Sequence, residues 1–241
     1  MKPVEYDRMF REEDVYWWFV GRRRLATVLL ENSLPARNLR ILDVGCGTGA
    51  MSRELMRFGS VVSTDLSALA IGYGRQRQLT GLCCADATAL PFADASFDAV
   101  VALDLLEHIA DDLLAVREFA RVLAPGGHLV ATVPAYQFLW SGHDLALMHH
   151  RRYTRRSFGD LLASGGLSTV RLTYAMTALF PIVWLVRRRS KKPGSEEATI
   201  QPVPRWLNKV LIRVLDMENA YLRRADLPYG VSVAAVARRI R

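Results

Sequence analysis

A short apolar stretch, Arg40-Ile41-Leu42-Asp43-Val44, runs straight into Gly45-Cys46-Gly47-Thr48-Gly49 and then into a helical pattern from about Ala50 to Phe58. Few local patterns constrain a chain more. Glycines let the backbone approach a ligand closely, and a helix N-terminus offers free N–H groups, so a strand–glycine turn–helix unit reads as a nucleotide-cofactor site. The spacing G-x-G-x-G departs from the G-x-G-x-x-G of dinucleotide folds. The Gly-Lys-Ser/Thr of a phosphate loop is absent.

The unit repeats. Val61 to Asp65 reads as a strand, with Ser67 as the cap of the next helix. Leu82 to Ala85 reads as a short strand, and Phe97 to Leu103 as one buried on both faces. Asp111 caps a helix through Leu123, Pro125-Gly126-Gly127 turns the chain, and His128 to Val133 forms another strand. Such alternation predicts a parallel sheet covered by helices on both faces. Ahead of it, Glu12 to Asn32 reads as one aromatic-rich helix. Beyond it come a helix at Ser157 to Ser164, a strand at Ser168 to Tyr174, and a last strand at Gly230 to Arg238. Between those two strands lie about fifty mostly helical residues. Ser190 to Glu197 is the only linker-like stretch.

Charge is distributed unevenly. The chain of 241 residues has a net charge of +8, but residues 1–135 carry 14 Lys+Arg against 17 Asp+Glu, a net of −3, and the remainder carries 18 against 7, a net of +11. Any electrostatic partner, nucleic acid or an anionic membrane, should therefore meet the C-terminal part. Three cysteines, two of them adjacent, form neither a disulfide framework nor a zinc spacing, so no metal is expected. With no apolar leader at Met1 to Asp7, a reduced cytoplasmic protein is the expectation.

The run Ile41 to Gly49 closely resembles motif I of the class I S-adenosylmethionine (SAM) methyltransferases, of the type 11 or UbiE-like kind. The similarity extends over about Leu39 to Pro134, through Leu90 to Asp98 and Leu123 to Leu129. It implies an α/β fold with a Rossmann-like seven-stranded sheet and SAM as cofactor. It divides the chain into an N-terminal helical cap (1–38), a SAM-binding core (39–174) with a substrate lid (about 135–157), a helical insertion (175–229) and the final strand (230–241). By the same resemblance Asp43, Gly45, Cys46, Gly47 and Gly49 form the cofactor turn, with Cys46 a small filler. Asp65 and Leu66 meet the ribose, Asp86 and Ala87 the adenine, and Leu103 borders the site. Turn or cap chemistry is the alternative for Asp65 and Asp86. In similar methyltransferases an N-terminal helix lies over the cofactor, which makes Trp18 and Arg22 candidates, Arg22 for the methionine carboxylate.

Methyl transfer requires alignment of the acceptor and, where needed, removal of its proton. Asp104, Glu107 and His108 follow the fourth strand, where helix-start chemistry is the simpler reading. The lid holds Tyr136, Phe138 and Trp140 for an apolar acceptor. It also holds His143 beside Asp144, and His149 or His150 beside Tyr153, as candidate bases. Arg151, Arg152 and Tyr153 are candidates for holding an anion. Leu103-Asp104-Leu105-Leu106 stands where a nucleic-acid amino-methyltransferase would carry Asn/Asp-Pro-Pro-Tyr/Phe, which lowers the nucleic-acid reading.

Leu172 to Val186 carries no charge and is followed by Arg187-Arg188-Arg189 and Lys191-Lys192. It is too short to span a membrane. An interfacial segment on an anionic leaflet through 175–192, a helix packed on its neighbour, and a homodimer contact all fit. The expected function is SAM-dependent methylation of a small, hydrophobic or lipid-linked acceptor, with oxygen slightly favoured over carbon. RNA methylation and a silent SAM-binding scaffold are the alternatives.

Overall fold

Residues 3–34, 38–189 and 203–240 are described by a computed structural model, apart from the side chains of Arg188 and Arg189. The linker-like Ser190 to Glu197, with Lys191 and Lys192, lies outside the described residues. Seven strands form one sheet: β1 (Leu39–Val44), β2 (Gly59–Asp65), β3 (Leu82–Cys84), β4 (Phe97–Leu103), β5 (Leu123–Pro134), β6 (Leu167–Ala175) and β7 (Ser232–Arg239). Their order is β3-β2-β1-β4-β5-β7-β6. β7 runs antiparallel to both neighbours and the other six point one way. This is the seven-stranded sheet the resemblance implied, with the insertion between β6 and β7; the alternation alone predicted a parallel sheet, from which β7 departs. The order reverses between β1 and β4, so the crevice at the strands' C-terminal ends opens there.

Successive strand residues face opposite sides, and each side has its own core. Leu42, Val100, Leu129 and Ala131 pack with Phe119 of α5 (Asp112–Val122) and Phe158 of α7 (Arg155–Ser164). Ile41, Val101 and Val130 pack with Leu25, Leu29 and Leu30 of α2 (Trp17–Ser33), and with Leu55 of α3 (Ala50–Leu55). A sheet covered on both faces needs apolar residues at consecutive positions, as β1 and β4 have.

Several boundaries differ from the expectation. The single helix over Glu12 to Asn32 is two, α1 (Pro3–Glu12) and α2, separated by a turn at residues 13–16. The break has a cause: Glu13 is drawn inward to accept hydrogen bonds from Thr48 and Arg77. Ser67 precedes α4 (Ala68–Gln76) but its hydroxyl makes no cap bond, whereas Asp111 does cap α5 through the Leu114 N–H. Strand β5 begins at Leu123, ahead of the expected glycine turn. Leu123 pairs with Phe97, and the register slips before His128 meets Ala99.

The insertion contributes α8 (Phe180–Arg189) and α9 (Arg205–Leu222). α9 lies along α2. A Cβ on Gly21 would come within 2.3 Å of Cδ1 of Leu215, so the two helices approach closely here and a larger residue would need Leu215 to shift. Asn219 donates to the Gly21 carbonyl at 3.3 Å, and Arg24 pairs with Asp216 at 2.5 Å. Among the described residues no helix is long and apolar enough to cross a membrane.

Candidate active site

The C-terminal ends of β1, β2 and β4 bring three carboxylates to one edge. The glycine turn is folded against β2: Gly45 and Cys46 donate to the Thr64 carbonyl, and Gly47 donates to Oδ2 of Asp65 at 3.0 Å. Gly47 has φ +55, a conformation that favours glycine, and a Cβ there would displace the end of the Met9 side chain, 2.6 Å away. Asp65 also accepts from the Ser67 N–H at 2.9 Å. Burial raises the pKa of its carboxyl, partly offset by these two N–H bonds.

Asp43 is buried at the end of β1 and accepts from Ser52 at 2.5 Å. Burial pushes its carboxyl up to about 7, with Asp65 and Glu13 adding to the shift. Cys46 is buried and its thiol is pushed up by the same desolvation, so it holds its proton. Asp86 is exposed and accepts from both N–H and hydroxyl of Thr88 at 2.8 Å, a turn contact that leaves its other oxygen available. Ala87 is buried, Leu103 half-buried and Leu66 exposed.

Arg22 donates to Oδ2 of Asp104 at 2.5 Å, and Thr132 donates to the other oxygen at 2.8 Å. Burial works against ionisation of Asp104, but Arg22 and Thr132 hold its carboxyl below the usual range. Nε of Arg22 is buried without a hydrogen-bond partner among the described residues, so this guanidinium retains a free donor at the strand tips. Trp18 packs with Met176, Leu179 and Leu215 against the insertion. The side chain over the glycine turn is Met9, and burial, then the charge of Asp65, raises the pKa of the Tyr6 hydroxyl. Sequence reasoning assigns Trp18 and Arg22 to the expected N-terminal cap and does not single out Met9 and Tyr6 of α1, beside the glycine turn and Asp65.

Glu13 and Arg77 were missed too. Arg77 donates to the Thr48 carbonyl and to Glu13, both at 2.8 Å, and clamps the α1–α2 turn onto the glycine turn. Periodicity carries no trace of a clamp whose parts lie more than sixty positions apart.

In the segment expected to form the substrate lid, about 135–157, α6 (Gly142–Ala146) starts with a capping box in which Asp144 reaches back to Ser141. Asp144 also takes Arg152 at 2.7 Å, Nδ1 of His149 at 2.9 Å and Arg187 at 3.4 Å. These partners hold its carboxyl far below the ordinary range despite its burial. The His–Asp pair is therefore His149 with Asp144, a correction to the pairing of His143 with Asp144. Consecutive helical residues face different directions, so sequence neighbours do not pair. Desolvation, then Arg187, lowers His143 to about 4. His150 is exposed, and its N–H donates to the Glu107 carbonyl at 2.7 Å.

Tyr153 is a second correction. Its hydroxyl donates to Asp112 at 2.8 Å and not to a histidine, and burial raises its pKa. Arg151 pairs with the same Asp112, and Arg152 is buried on Asp144 and the Ala135 carbonyl. The expected anion holders are thus lid fastenings. Arg187, expected on a polybasic surface, donates to the Leu139 carbonyl at 2.8 Å and ties α8 to the lid.

Beyond β5 and β6, at the same edge, aromatic rings gather. Tyr136 stacks on Phe138 and on Tyr174, each at 5.0 Å between centroids, and Phe180 meets Tyr136, Phe138 and Tyr229 edge-on or tilted. A separate cleft of about 500 Å³ lies between α2, α3 and α9, and its arginines are paired with acids such as Glu31 and Asp216.

Residues 42–131 match the family model described as a methyltransferase domain. The malonyl-[acyl-carrier protein] O-methyltransferase of Erwinia pyrifoliae is 32% identical over 180 residues, covering 72% of this chain and 69% of that protein. A demethylmenaquinone methyltransferase of a Mycobacterium species is 42% identical over 92 residues, covering 38% and 40%. Among solved structures, a SAM-dependent methyltransferase of Thermotoga maritima, described as a possible histamine N-methyltransferase, superposes with a TM-score of 0.63. It is 18% identical and covers 98% of this chain and 95% of that one, a likeness of fold.

Proposed function

The chain belongs to the class I SAM-dependent methyltransferases, and we propose that within this family it methylates a small, hydrophobic or lipid-linked acceptor, with an oxygen nucleophile favoured over carbon. The aromatic group Tyr136, Phe138, Tyr174, Phe180 and Tyr229 carries this reading. It lies at the sheet edge that holds Asp43, Asp65 and Asp104, and offers stacking faces to a flat or apolar acceptor. The relatives in Erwinia and Mycobacterium are named for an acyl-carrier-linked and a quinone-type acceptor, which supports the same class.

The residues present fit the cofactor. SAM supplies a methyl group on a sulfonium and carries net positive charge. Burial has raised the carboxyl pKa of Asp43, Asp65 and Glu13, and a nearby cation stabilises their ionised forms. In this reading Asp65 accepts from the ribose hydroxyls, Asp86 and Ala87 border the base, and the glycine turn receives the remainder. Arg22, steered by Asp104, offers its free Nε to a carboxylate. The lid aligns the acceptor, and His149, oriented by Asp144, takes a proton where one must leave.

Labelled SAM tests the reading. The purified protein is incubated with lipid, small-molecule and RNA fractions of a bacterial extract. Label in an organic-soluble product supports the proposal. Label in RNA selects the RNA reading, and no label with intact SAM binding selects the scaffold.

A peripheral membrane position through residues 175–192 remains our proposal for where such an acceptor is met. Ile182, Leu185 and Val186 of α8 are exposed, although Arg187 faces the lid. Flotation with anionic liposomes checks it, and a protein that stays at the bottom of the gradient ends it.

A further inference from the structure

The turn after β4 and the lid meet at three potential metal ligands. Glu107 and His108 lie on a single 3-10 turn, Leu106–His108, directly beyond β4. His149 arrives from the lid, which the His150 N–H fastens to the Glu107 carbonyl. One carboxylate oxygen of Glu107 and one ring nitrogen from each histidine all lie within 4.8 Å of one another. The two rings meet edge to face at 4.6 Å between centroids.

Two further observations distinguish this group from a chance cluster. Glu107 is 1% exposed, and its Oε2 has no hydrogen-bond partner among the described residues. A buried carboxylate oxygen left without a partner is costly and calls for an explanation. His149 also has one nitrogen already engaged: its Nδ1 lies 2.9 Å from Oδ1 of Asp144. A carboxylate on one ring nitrogen fixes the tautomer and turns the other nitrogen's lone pair outward, as in metal-binding histidines. Asp144 is itself held by Ser141 and Arg152, so this support is rigid.

We propose that Glu107, His108 and His149 bind one divalent first-row transition-metal ion of the zinc class. Two imidazoles and one carboxylate suit such an ion and leave coordination positions open. Donors on a common ion at bonds of about 2.1 Å stand roughly 3–3.5 Å apart, so the three groups close on the ion by about 1–2 Å. The ligands come from two distant segments, which is why cysteine and histidine spacing gave no sign of them. An ion held here would lie near Asp104, which interacts electrostatically with both Glu107 and His108 at the end of β4. With the ion bound, the nitrogen of His149 left free by Asp144 is a ligand and no longer a base, and an oxygen donor of the acceptor would bind at an open position; this last role, unlike the binding of the ion, rests on the methyl-transfer reading.

The test uses the full chain, stripped with a chelator and titrated with Co²⁺ by visible absorption and with Zn²⁺ by calorimetry. One ion per chain is expected, with a Co²⁺ spectrum of low-coordinate nitrogen–oxygen type. Glu107→Gln and His149→Asn should each weaken binding at least tenfold. His128→Asn, in the middle of β5, should leave it unchanged. His108→Asn, at a half-buried position, provides a second ligand variant where Glu107→Gln does not fold. Absence of the spectrum and of heat in the wild type overturns the proposal. So does equal affinity in wild type and folded ligand variants. SAM binding measured on the same preparations reports separately on the methyltransferase reading.

Discussion

Nδ1 of His149 stands 2.9 Å from Oδ1 of Asp144, while His143, next to that carboxylate in the chain, makes no hydrogen bond to it. The carboxylate fixes the tautomer and orientation of His149, as a positioned base or ligand requires. Turnover loss is therefore expected to concentrate there: about a hundredfold for His149→Asn and only a few-fold for His143→Asn. Single-turnover methyl transfer checks this, and the reverse ranking would exclude His149 as the principal group.

Asp144 joins α6, Arg152, His149 and Arg187 of α8 while wholly buried. Removing one member of a buried charge cluster leaves the others uncompensated, so Asp144→Asn should cost about 3–5 kcal/mol. Its folded carboxyl lies below the unfolded value, so its contribution is present above about pH 4 and is lost as the pH falls further. Urea unfolding at neutral pH measures the loss.

Asp43 and His143 titrate with opposite consequences. The Asp43 carboxyl rises from 3.8 to about 7 on folding. Its stabilising share is present below about pH 4 and is lost as the pH rises through 7. His143 falls from 6.5 to about 4, mainly by desolvation, so its share is present above about pH 6.5 and is lost as the pH falls towards 4. Relative to wild type, Asp43→Asn should gain stability as the pH rises from about 4 to 7, and His143→Asn as it falls from about 6.5 to 4. Urea midpoints across that range read both slopes.

Asp65→Ala removes the acceptor of the Gly47 and Ser67 N–H groups and the acid assigned to the ribose. SAM affinity should fall at least tenfold, or about 1.4 kcal/mol, by calorimetry. Unchanged affinity would count against the cofactor map.

Phe138 is 57% exposed, yet it stacks on Tyr136 and touches Phe180. Phe138→Ala should shift stability by no more than about 0.5 kcal/mol and raise the acceptor KM several-fold at constant kcat. A change in stability without a change in KM would make it a packing residue only.

The cofactor edge was legible because its signals are local. The apolar runs of β1 and β4 and the glycine turn occupy consecutive positions, and the period-2 and period-3.6 patterns are read within a few residues. What stayed hidden depends on distant partners. Met9 over Gly47, Arg77 on Glu13, and His149 with Glu107 join segments whose sequences contain no mutual signal. The helix expected to run from Glu12 to Asn32 failed for the same reason, since Glu13 leaves the helix for a partner on another element. His143 and Asp144 misled in the opposite way, because adjacency along a helix separates side chains.

The contact between Gly21 and Leu215 bears on the order in which the molecule is completed. Asn208, which receives the Trp17 N–H, is made 191 residues after it. A nascent chain thus carries α2 with one flank bare until the 191 residues from Trp17 to Asn208 have been made. Closures over such sequence distances are slow, and waiting apolar surface invites aggregation. Chains cut short before α9 should therefore be recovered insoluble even though every strand of the cofactor half is present.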